Sequence, residues 1–380
     1  MNVVKMKVVT KQIRGVSYKP TDLHDSLNSS SVILLRANNI DDGKINFDDV
    51  VYVDKSKVSK DQYLKKGDIL ICASSGSKQL VGKAASFDFD KECTFGAFCK
   101  VVRPDENVAD YIGKYFQSVK YRSIISNVAI GANINNIRNE HIDSLELPMY
   151  STEKANDIVH LLSKVQSIIE YRKQELSHLD DLIKARFVEL FGNPLDKSKA
   201  NKYFVECVEF NPKKSEVKDM MEEKVSFVPM ECVGVDGSFK IREDGLVQDY
   251  YKGYTYFRDG DVLLAKITPC FENGKVAIAE NCTNGIGFGT TEFHVSRPID
   301  GVSNSYWIKY MLKNDLVHDL ATINMTGSAG QKRIQTPFFE KLKIYLPPID
   351  KQERFADFVK QVDKSKVIFM KIEDKLNMLY

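Results

Sequence analysis

The sequence lacks the residue clusters and long apolar runs that mark several common classes of protein. Its seven cysteines form no CxxC pair and no cysteine–histidine set at zinc-ligand spacing, so we expect reduced thiols and no metal site. No apolar stretch reaches the length of a signal peptide or a membrane span, which predicts a cytoplasmic protein with no membrane partner. The formal net charge is only +2, so any surface for nucleic acid must be local.

Motifs of nucleotide-binding and methyl-transferring enzymes are missing or defective. The stretch from Gly76 to Ala84 imitates a phosphate-binding loop, but five residues separate Gly76 from Gly82, and Ala84 stands where a metal-binding hydroxyl is needed. The glycine-rich Gly285–Gly289 is not followed by a helical pattern, and no Asn/Asp-Pro-Pro-aromatic motif of an amino-methyltransferase occurs. We therefore expect no catalytic residues and no cofactor, and keep a nucleotide-binding enzyme as an alternative.

What the sequence does contain is a long internal repeat. Gly67-Asp68, followed by an apolar run, returns 193 residues later as Gly260-Asp261, and Phe95-Gly96 returns at the same spacing as Phe288-Gly289. This length indicates a duplicated domain, because the units of solenoid proteins are roughly 20 to 50 residues long. Two domains are also what 380 residues of ordinary composition lead us to expect.

Each copy mixes short strands with a helix, which predicts an α+β fold. Strands are expected at the apolar runs Val32–Leu35, Val50–Val53, Asp68–Cys72, Phe98–Val102, Val262–Leu264 and Val276–Ile278. One helix is expected near 108–126 in the first copy and one near 305–320 in the second. The predicted boundaries are 1–150 for the first domain, 151–195 for a central helix, 196–348 for the second domain and 349–380 for a C-terminal helix.

Both long helices carry an apolar seam of alternating four- and three-residue steps. The first seam lies within 158–183 with Arg172 as its polar interruption, and the second within 355–379 with Ser365. This spacing is typical of a supercoiled helix pair, although each seam could also pack on its own domain. Its presence in both copies favours an antiparallel pair, since the second domain must carry the chain from the end of one helix to the start of the other. Such a pair would put Arg172 and Ser365 in one layer.

Loops that combine cations, amides, aromatics and glycine occupy matching places in the two copies. Lysine and arginine neutralise phosphates, amides read base edges, and small residues allow the backbone to come close. A single loop of this kind is usually a solvated turn, so it is the recurrence that points to DNA. The predicted DNA-binding residues are Ser75, Lys78, Gln79, Asn133, Asn135 and Arg138 in the first copy, and Tyr251, Lys252, Tyr254, Lys266, Thr268, Asn273, Lys275, Gln331, Lys332 and Arg333 in the second.

Several segments also resemble a known family. Those that carry the resemblance are Ser226–Met230, Tyr254–Asp261, Ala265–Lys275, Gly287–Val295 and Gly330–Arg333 in the second copy, with Lys184–Pro194 and Leu346–Gln352 at the helices. Together they look like the target recognition domain and helices of type I restriction–modification specificity subunits. The resemblance implies two globular target recognition domains joined by two long helices that pair as an antiparallel coiled coil.

The same resemblance implies a non-catalytic subunit with several partners. Each domain would read one half of an interrupted site in double-stranded DNA. The helices would set the spacing and dock two methyltransferase subunits, with restriction and translocation subunits joining through the complex. The residues expected to bind a partner are Arg186, Phe187, Leu190 and Phe191.

The length of the first seam suggests a spacing for the two half-sites. At roughly 1.5 Å per residue it is about 40 Å long, which corresponds to about one turn of B-DNA. The bases in each half do not follow from the sequence, because loop geometry and DNA shape also determine them. A silent or recombined specificity allele without active partners is the alternative, consistent with the end of the chain at Tyr380.

Overall fold

The computed structural model of the chain describes residues 2–77, 80–128, 135–328 and 330–379, and the chain divides into two compact units. Unit 1 comprises Met1–Tyr171 with Glu373–Tyr380, and unit 2 comprises Arg172–Ile372. Both units mix strands and helices, so the α+β class predicted from the sequence is confirmed.

Unit 1 is built on two four-stranded sheets. Its strands are β1 (Asn2–Lys5), β2 (Thr10–Arg14), β3 (Leu23–His24), β4 (Ser31–Leu35), β5 (Ile40–Asp41), β6 (Lys44–Ile45), β7 (Val51–Asp54), β8 (Ile69–Cys72), β9 (Ser74–Ser75), β10 (Ala84–Ser86), β11 (Cys93–Phe95), β12 (Cys99–Pro104), β13 (Asn135–Asn136) and β14 (Glu146–Met149). Its helices are α1 (Ala109–Gln117), α2 (Val119–Val128), α3 (Asn139–Asp143) and the first part of α4 (Thr152–Phe191). The strand orders are β10-β8-β12-β2 and β11-β4-β7-β3.

Unit 2 repeats this construction. Its strands are β15 (Lys202–Tyr203), β16 (Val208–Phe210), β17 (Lys224–Val228), β18 (Glu243–Leu246), β19 (Thr255–Arg258), β20 (Val262–Ala265), β21 (Val276–Ile278), β22 (Ile286–Gly289), β23 (Phe293–Pro298) and β24 (Lys343–Ile344). Its helices are the end of α4, α5 (Val247–Tyr250), α6 (Ser305–Leu312), α7 (Asp315–Ile323), α8 (Thr336–Lys341) and α9 (Ile349–Leu379) as far as Ile372. The strand orders are β16-β23-β20-β21 and β18-β17-β22-β19.

The two units share one topology as well as one sequence pattern. The antiparallel order β2-β12-β8-β10 in unit 1 corresponds to β16-β23-β20-β21 in unit 2. In the second sheet of each unit, two strands pair in parallel, β4 with β11 and β17 with β22. A matched small ladder joins β1 to β14 and β15 to β24. The long repeat in the sequence is therefore a duplicated fold.

The single helix predicted near the middle of each unit is wrong in the same way in both copies. Unit 1 has two helices that meet at Ser118, and unit 2 has two that meet at 313–314. In unit 1 the Ser118 hydroxyl accepts a hydrogen bond from the backbone N–H of Tyr121, and in unit 2 the Asn314 side chain accepts one from Leu316. These side chains cap the second helix, so the apolar period continues while the helix itself restarts.

A buried ion pair explains why the Gly-Asp motif occurs in both copies. Asp68 is 1% exposed and pairs with Arg103, with Oδ1 2.7 Å from Nε. Asp261 is also 1% exposed and pairs with Arg297 through two contacts of 2.9 Å. Each aspartate also accepts a backbone hydrogen bond from the residue three positions earlier. The preceding glycine has a positive φ in both copies, 86° and 90°, so the turn that delivers the aspartate favours glycine.

Within unit 2, the end of α4 packs against α9. Phe187 and Phe191 both contact Phe355, with ring centroids 5.5 Å apart in each case. Farther along, Asp180 pairs with Lys366. Partners with lower numbers on α4 thus meet partners with higher numbers on α9, so the two segments run antiparallel.

The prediction that the two polar interruptions share one layer is wrong: Lys366, the neighbour of Ser365, pairs with Asp180, which is two turns away from Arg172 on α4. The Arg172 guanidinium lies 5.1 Å from the centre of the Phe369 ring and donates to Glu175 on its own helix. Phe369 is one turn beyond Ser365, whose hydroxyl donates to the carbonyl of Gln361. The arginine therefore crosses the seam over an aromatic ring, with a carboxylate as its acceptor.

Candidate nucleic-acid interface

In unit 2, three stretches that are distant in sequence meet at the end of β20. The backbone N–H of Thr268 donates to the carbonyl of Lys332 over 2.9 Å, and that of Ile334 donates to Lys266 over 2.9 Å. Lys266 in turn donates to the carbonyl of Glu292 over 2.9 Å. We call this arrangement of 266–268, 292 and 331–334 the unit 2 loop frame. It brings five of the predicted DNA-binding residues together.

The side chains on this frame are not all equally free. Gln331 and Lys332 are exposed. The Arg333 guanidinium, by contrast, forms a bidentate ion pair with Glu292, with Nε 3.0 Å from Oε2 and Nη2 2.9 Å from Oε1. The Thr268 hydroxyl donates to Glu272 over 2.7 Å. Gln331 and Lys332 are therefore the side chains best placed to meet a ligand, while Arg333 and Thr268 already have acidic partners.

Lys266 is half-buried at the base of the frame. Burial lowers the pKa of its ammonium, and the nearby positive charge of Arg333 acts in the same direction, whereas the charge of Glu292 opposes both. The Glu292 carboxylate is thus the acidic group that acts on both Lys266 and Arg333. The frame has a surplus of positive charge, which suits contact with phosphate.

Unit 1 builds the same frame from different side chains. Ile137 donates to the carbonyl of Ala73 over 2.8 Å, and Ala73 donates to that of Phe98 over 2.9 Å. In the short ladder that follows, Ser75 pairs with Asn135. By their place in this pattern, Ser75 corresponds to Thr268 and Asn135 to Lys332. We call 73–75, 98 and 135–137 the unit 1 loop frame.

Of the remaining predicted residues of unit 1, Arg138 belongs to the described part of the chain. Lys78, Gln79 and Asn133 lie outside the described residues. Arg138 is exposed and forms an ion pair with Glu140, with 3.3 Å between Nη1 and Oε1. Its position next to the frame agrees with the predicted role, which stays a prediction.

In each unit, a buried polar side chain on a strand of the sheet forms a hydrogen bond with the loop frame. In unit 2, His294 Nε2 donates to the carbonyl of Ile334 over 2.9 Å, and its other ring nitrogen lies 3.3 Å from the Asn211 amide. In unit 1, the Lys100 ammonium donates to the equivalent carbonyl, that of Ile137, over 3.3 Å, and to Asn139 over 2.6 Å. These contacts satisfy carbonyl groups that would otherwise be buried without partners.

The buried histidine should make unit 2 less stable in acid. Burial lowers the pKa of His294 from 6.5 to about 4. Because the folded state does not take up this proton, the stabilisation is complete above pH 6.5 and is lost as the pH falls from 6.5 to about 4. The loss should be about 3 kcal/mol and can be followed by the fluorescence of Trp307, the one tryptophan of the chain.

His294→Gln is the control for this effect. It keeps an amide donor for the Ile334 carbonyl but does not titrate, so its stability should vary less between pH 6.5 and 4. Equal pH dependence of the two proteins would refute the role of His294.

The other predicted DNA-binding residues of unit 2 lie on different parts of the fold. Lys252 is exposed, and Tyr254 is 36% exposed although its ring packs edge-on against Phe227, with ring centroids 5.1 Å apart. The carbonyl of the half-buried Tyr251 accepts from Lys214 over 2.7 Å. Asn273 is exposed, while the ammonium of Lys275 donates to the carbonyl of Met230 over 3.1 Å. Of these five residues, Lys252 and Asn273 are the most available to a ligand.

The predicted partner-binding segment needs a correction. Phe187 and Phe191 are 2% and 4% exposed, because they pack against Phe355, so their side chains belong to the core of unit 2. Arg186 and Leu190 are half-buried, and the Arg186 guanidinium pairs with Glu189 over 2.7 Å. The exposed apolar residue of the segment is Val188, at 55%. The heptad pattern does not distinguish a helix face that packs internally from one that meets a partner.

Two residues of the frames escaped prediction. Glu292 stands in a motif that supports the resemblance, but its pairing with Arg333 spans 41 residues and has no local signal. Phe98 was placed in a strand, yet it precedes β12 and is 71% exposed. A comparison of the two copies position by position would have marked both, since they occupy one place in the fold.

In the part of the chain that the structure describes, no group of three or more His, Cys, Asp or Glu side chains could hold a metal ion. Among the described helices, none is long and apolar enough to cross a membrane.

The two units define a tandem α+β protein in which the same loop frame occurs in both copies. The family described as "Type I restriction modification DNA specificity domain" matches residues 25–180 and 210–378. The chain belongs to this family.

Individual relatives match shorter parts of the chain. The type I restriction enzyme EcoEI specificity subunit of Escherichia coli is 44% identical over 155 residues, which are 40% of this chain and 25% of that protein. The EcoKI specificity subunit of Escherichia coli strain K12 is 35% identical over 183 residues, 48% of this chain and 39% of that protein. The matched segment thus spans about a quarter to two fifths of these relatives.

A solved structure has the same fold along the whole chain. It is described as "Structural basis underlying complex assembly and conformational transition of the type I R-M system". The match covers 100% of this chain and 95% of that one, with a TM-score of 0.55 and 16% identity. At this identity the likeness concerns the fold alone.

Proposed function

We propose that the chain is the sequence-specific DNA-recognition subunit of a type I restriction–modification complex, and is not itself catalytic. Each loop frame meets one half of an interrupted site in double-stranded DNA. The observation that carries this proposal is the pair of equivalent frames with different side chains, Ser75 and Asn135 in unit 1 against Thr268 and Lys332 in unit 2. A constant backbone with variable polar groups suits two readers of different sequences.

We further propose that α4 and α9 form the antiparallel coiled coil that separates the readers and docks two methyltransferase subunits. The aromatic contacts of Phe355 and the pairing of Asp180 with Lys366 support this arrangement. Restriction and translocation subunits would join through that complex. No catalytic side chain or cofactor of this chain is needed, because the partners carry out the chemistry.

Replacing Lys332 and Gln331 tests the DNA-binding role. Lys332→Ala should weaken binding on all DNA sequences and lower the salt dependence of log K by about one unit, because one phosphate contact is lost. Gln331→Ala should relax the base preference at one position of one half-site by roughly 5- to 150-fold. The assembled complex, presented with random-sequence DNA and analysed by single-molecule sequencing of methylated bases, reports both halves of the site.

Lys202→Ala is the matched control, since this exposed lysine lies on β15 and already pairs with Glu206. It should leave the salt dependence and the modified sequence unchanged. If Lys332→Ala and Gln331→Ala both behave like this control, the unit 2 frame is not the DNA surface.

A further inference from the structure

The two units carry different side chains at one equivalent position, directly before a central strand. Phe98 precedes β12 in unit 1, and Glu292 precedes β23 in unit 2. The carbonyl of Phe98 accepts from Ala73 over 2.9 Å, just as that of Glu292 accepts from Lys266 over 2.9 Å. The backbone of this position is thus fixed in the same way in both loop frames.

The side chain at this position has a partner in unit 2. Glu292 receives two hydrogen bonds from Arg333, which occupies the place that Asn136 has in unit 1. In unit 2 the pair of positions is therefore filled by an ion pair. In unit 1 the same positions hold a phenyl ring and an amide.

Phe98 does not serve the core of unit 1. Phe98 is 71% exposed, a value that only Val119 equals among the large hydrophobic residues described in unit 1. The fold does not require an apolar side chain there either, because the second copy of the fold has a glutamate. The exposed phenyl ring beside the polar residues of the frame therefore lies where a ligand of the frame would bury it.

The ligand chemistry follows from the setting of the ring. Ser75 and Asn136 of the same frame carry hydrogen-bonding side chains, while the ring offers only an apolar surface. On DNA, an apolar side chain of this kind recognises the methyl group of thymine at the edge of the major groove. Lysine or arginine at the same position would instead favour phosphate or guanine.

We propose that Phe98 is a specificity-determining residue of unit 1 that makes an apolar contact with a thymine methyl group in its half-site. This inference rests on the proposed function, since it assumes that the unit 1 frame meets DNA. It goes beyond that function by assigning one base feature to one side chain. Position 98 and its equivalent 292 then determine part of the difference between the two half-sites.

The test compares Phe98→Ala with wild type in the assembled complex, on random-sequence DNA with mapping of the methylated sites. Phe98→Ala should lose the preference for thymine at one position of one half-site, by roughly tenfold, and leave the other half-site as it was. Phe98→Leu keeps an apolar contact and should retain most of the preference. Substituting uracil for thymine at that position should lower modification by wild type and leave Phe98→Ala unaffected.

Glu292→Gln is the matched control in the second copy. It should alter only the half-site that Phe98→Ala leaves intact. If wild type modifies an interrupted site and Phe98→Ala modifies the same site with the same base preferences, the role of Phe98 is overturned while the proposed function stands. If wild type shows no two-part site at all, the proposed function itself fails. Melting of each variant by circular dichroism identifies a folding defect, in which case Phe98→Leu with the uracil substitution decides.

Discussion

Replacing Asp261 by alanine should lower the free energy of unfolding of unit 2 by about 3–5 kcal/mol. The carboxylate is 1% exposed and accepts two hydrogen bonds from Arg297 and one from the backbone N–H of Arg258. Its removal leaves a partly buried guanidinium with fewer acceptors, and the turn after Gly260 loses its internal hydrogen bond. Urea unfolding followed by Trp307 fluorescence measures the loss, because Trp307 is 1% exposed in the core of unit 2.

Asp319→Ala is the appropriate control for this substitution. The Asp319 side chain is 77% exposed and has only a 4.0 Å contact with His318, so its loss should change stability by less than about 0.5 kcal/mol. Asp68→Ala removes the equivalent carboxylate in unit 1, and hydrogen exchange in Ile69–Cys72 should speed up there. A loss below about 1 kcal/mol for Asp261→Ala would show that Glu216 and Glu209, the other acceptors of Arg297, replace the aspartate.

The sequence predicted the duplication well because the Gly-Asp turn is a local pattern. It could not show why the aspartate is kept, since Arg103 and Arg297 follow 35 and 36 residues later on a neighbouring strand. Only the pairing of the strands brings guanidinium and carboxylate together. The ion pair depends on the order of the strands in the sheet, and the apolar period of the sequence does not specify that order.

At the helix breaks the sequence does contain a local signal for a break, but the apolar period outweighed it in the prediction. Ser118 and Asn314 are both residue types that favour the start of a helix. The apolar period continues across them because both helices bury the same side, with Phe116 and Tyr121 in unit 1 and Leu312 and Val317 in unit 2 all at most 4% exposed. Periodicity reports the buried face and not the continuity of the backbone.

At the loop frames, composition identified stretches that the fold brings together, but not the state of each side chain. Lys332 and Gln331 are exposed as expected, whereas Arg333 and Thr268 are engaged by carboxylates that lie elsewhere in the sequence. Phe98 was missed because an aromatic residue next to Cys99–Pro104 extends the apolar pattern of the strand. Whether a residue lies in the strand or just before it decides whether it is buried or exposed.

Phe187→Ala and Val188→Asp should separate the stability of the helices from partner binding. Phe187 is 2% exposed, with its ring centroid 5.0 Å from that of Phe191 and 5.5 Å from that of Phe355. Its truncation leaves a cavity among these rings and should cost about 3–5 kcal/mol, measured by Trp307 fluorescence in urea. Val188 is 55% exposed, so an aspartate there should change stability by less than about 0.5 kcal/mol.

Partner binding should be weakened more by Val188→Asp than by Phe187→Ala. Val188 borders a cavity of about 390 Å³ that is also lined by Leu190, Gly192, Tyr345 and Lys351. Replacing the exposed Val188 side chain by aspartate should weaken binding of a methyltransferase subunit by at least roughly tenfold, because an apolar contact is lost and a carboxylate must give up its water on binding. Phe187→Ala, tested under conditions in which unit 2 remains folded, should bind within about threefold of wild type. Calorimetric titration measures the binding of both variants. If Val188→Asp binds normally, the partner surface lies elsewhere. If Phe187→Ala alone abolishes binding, Phe187 belongs to the interface.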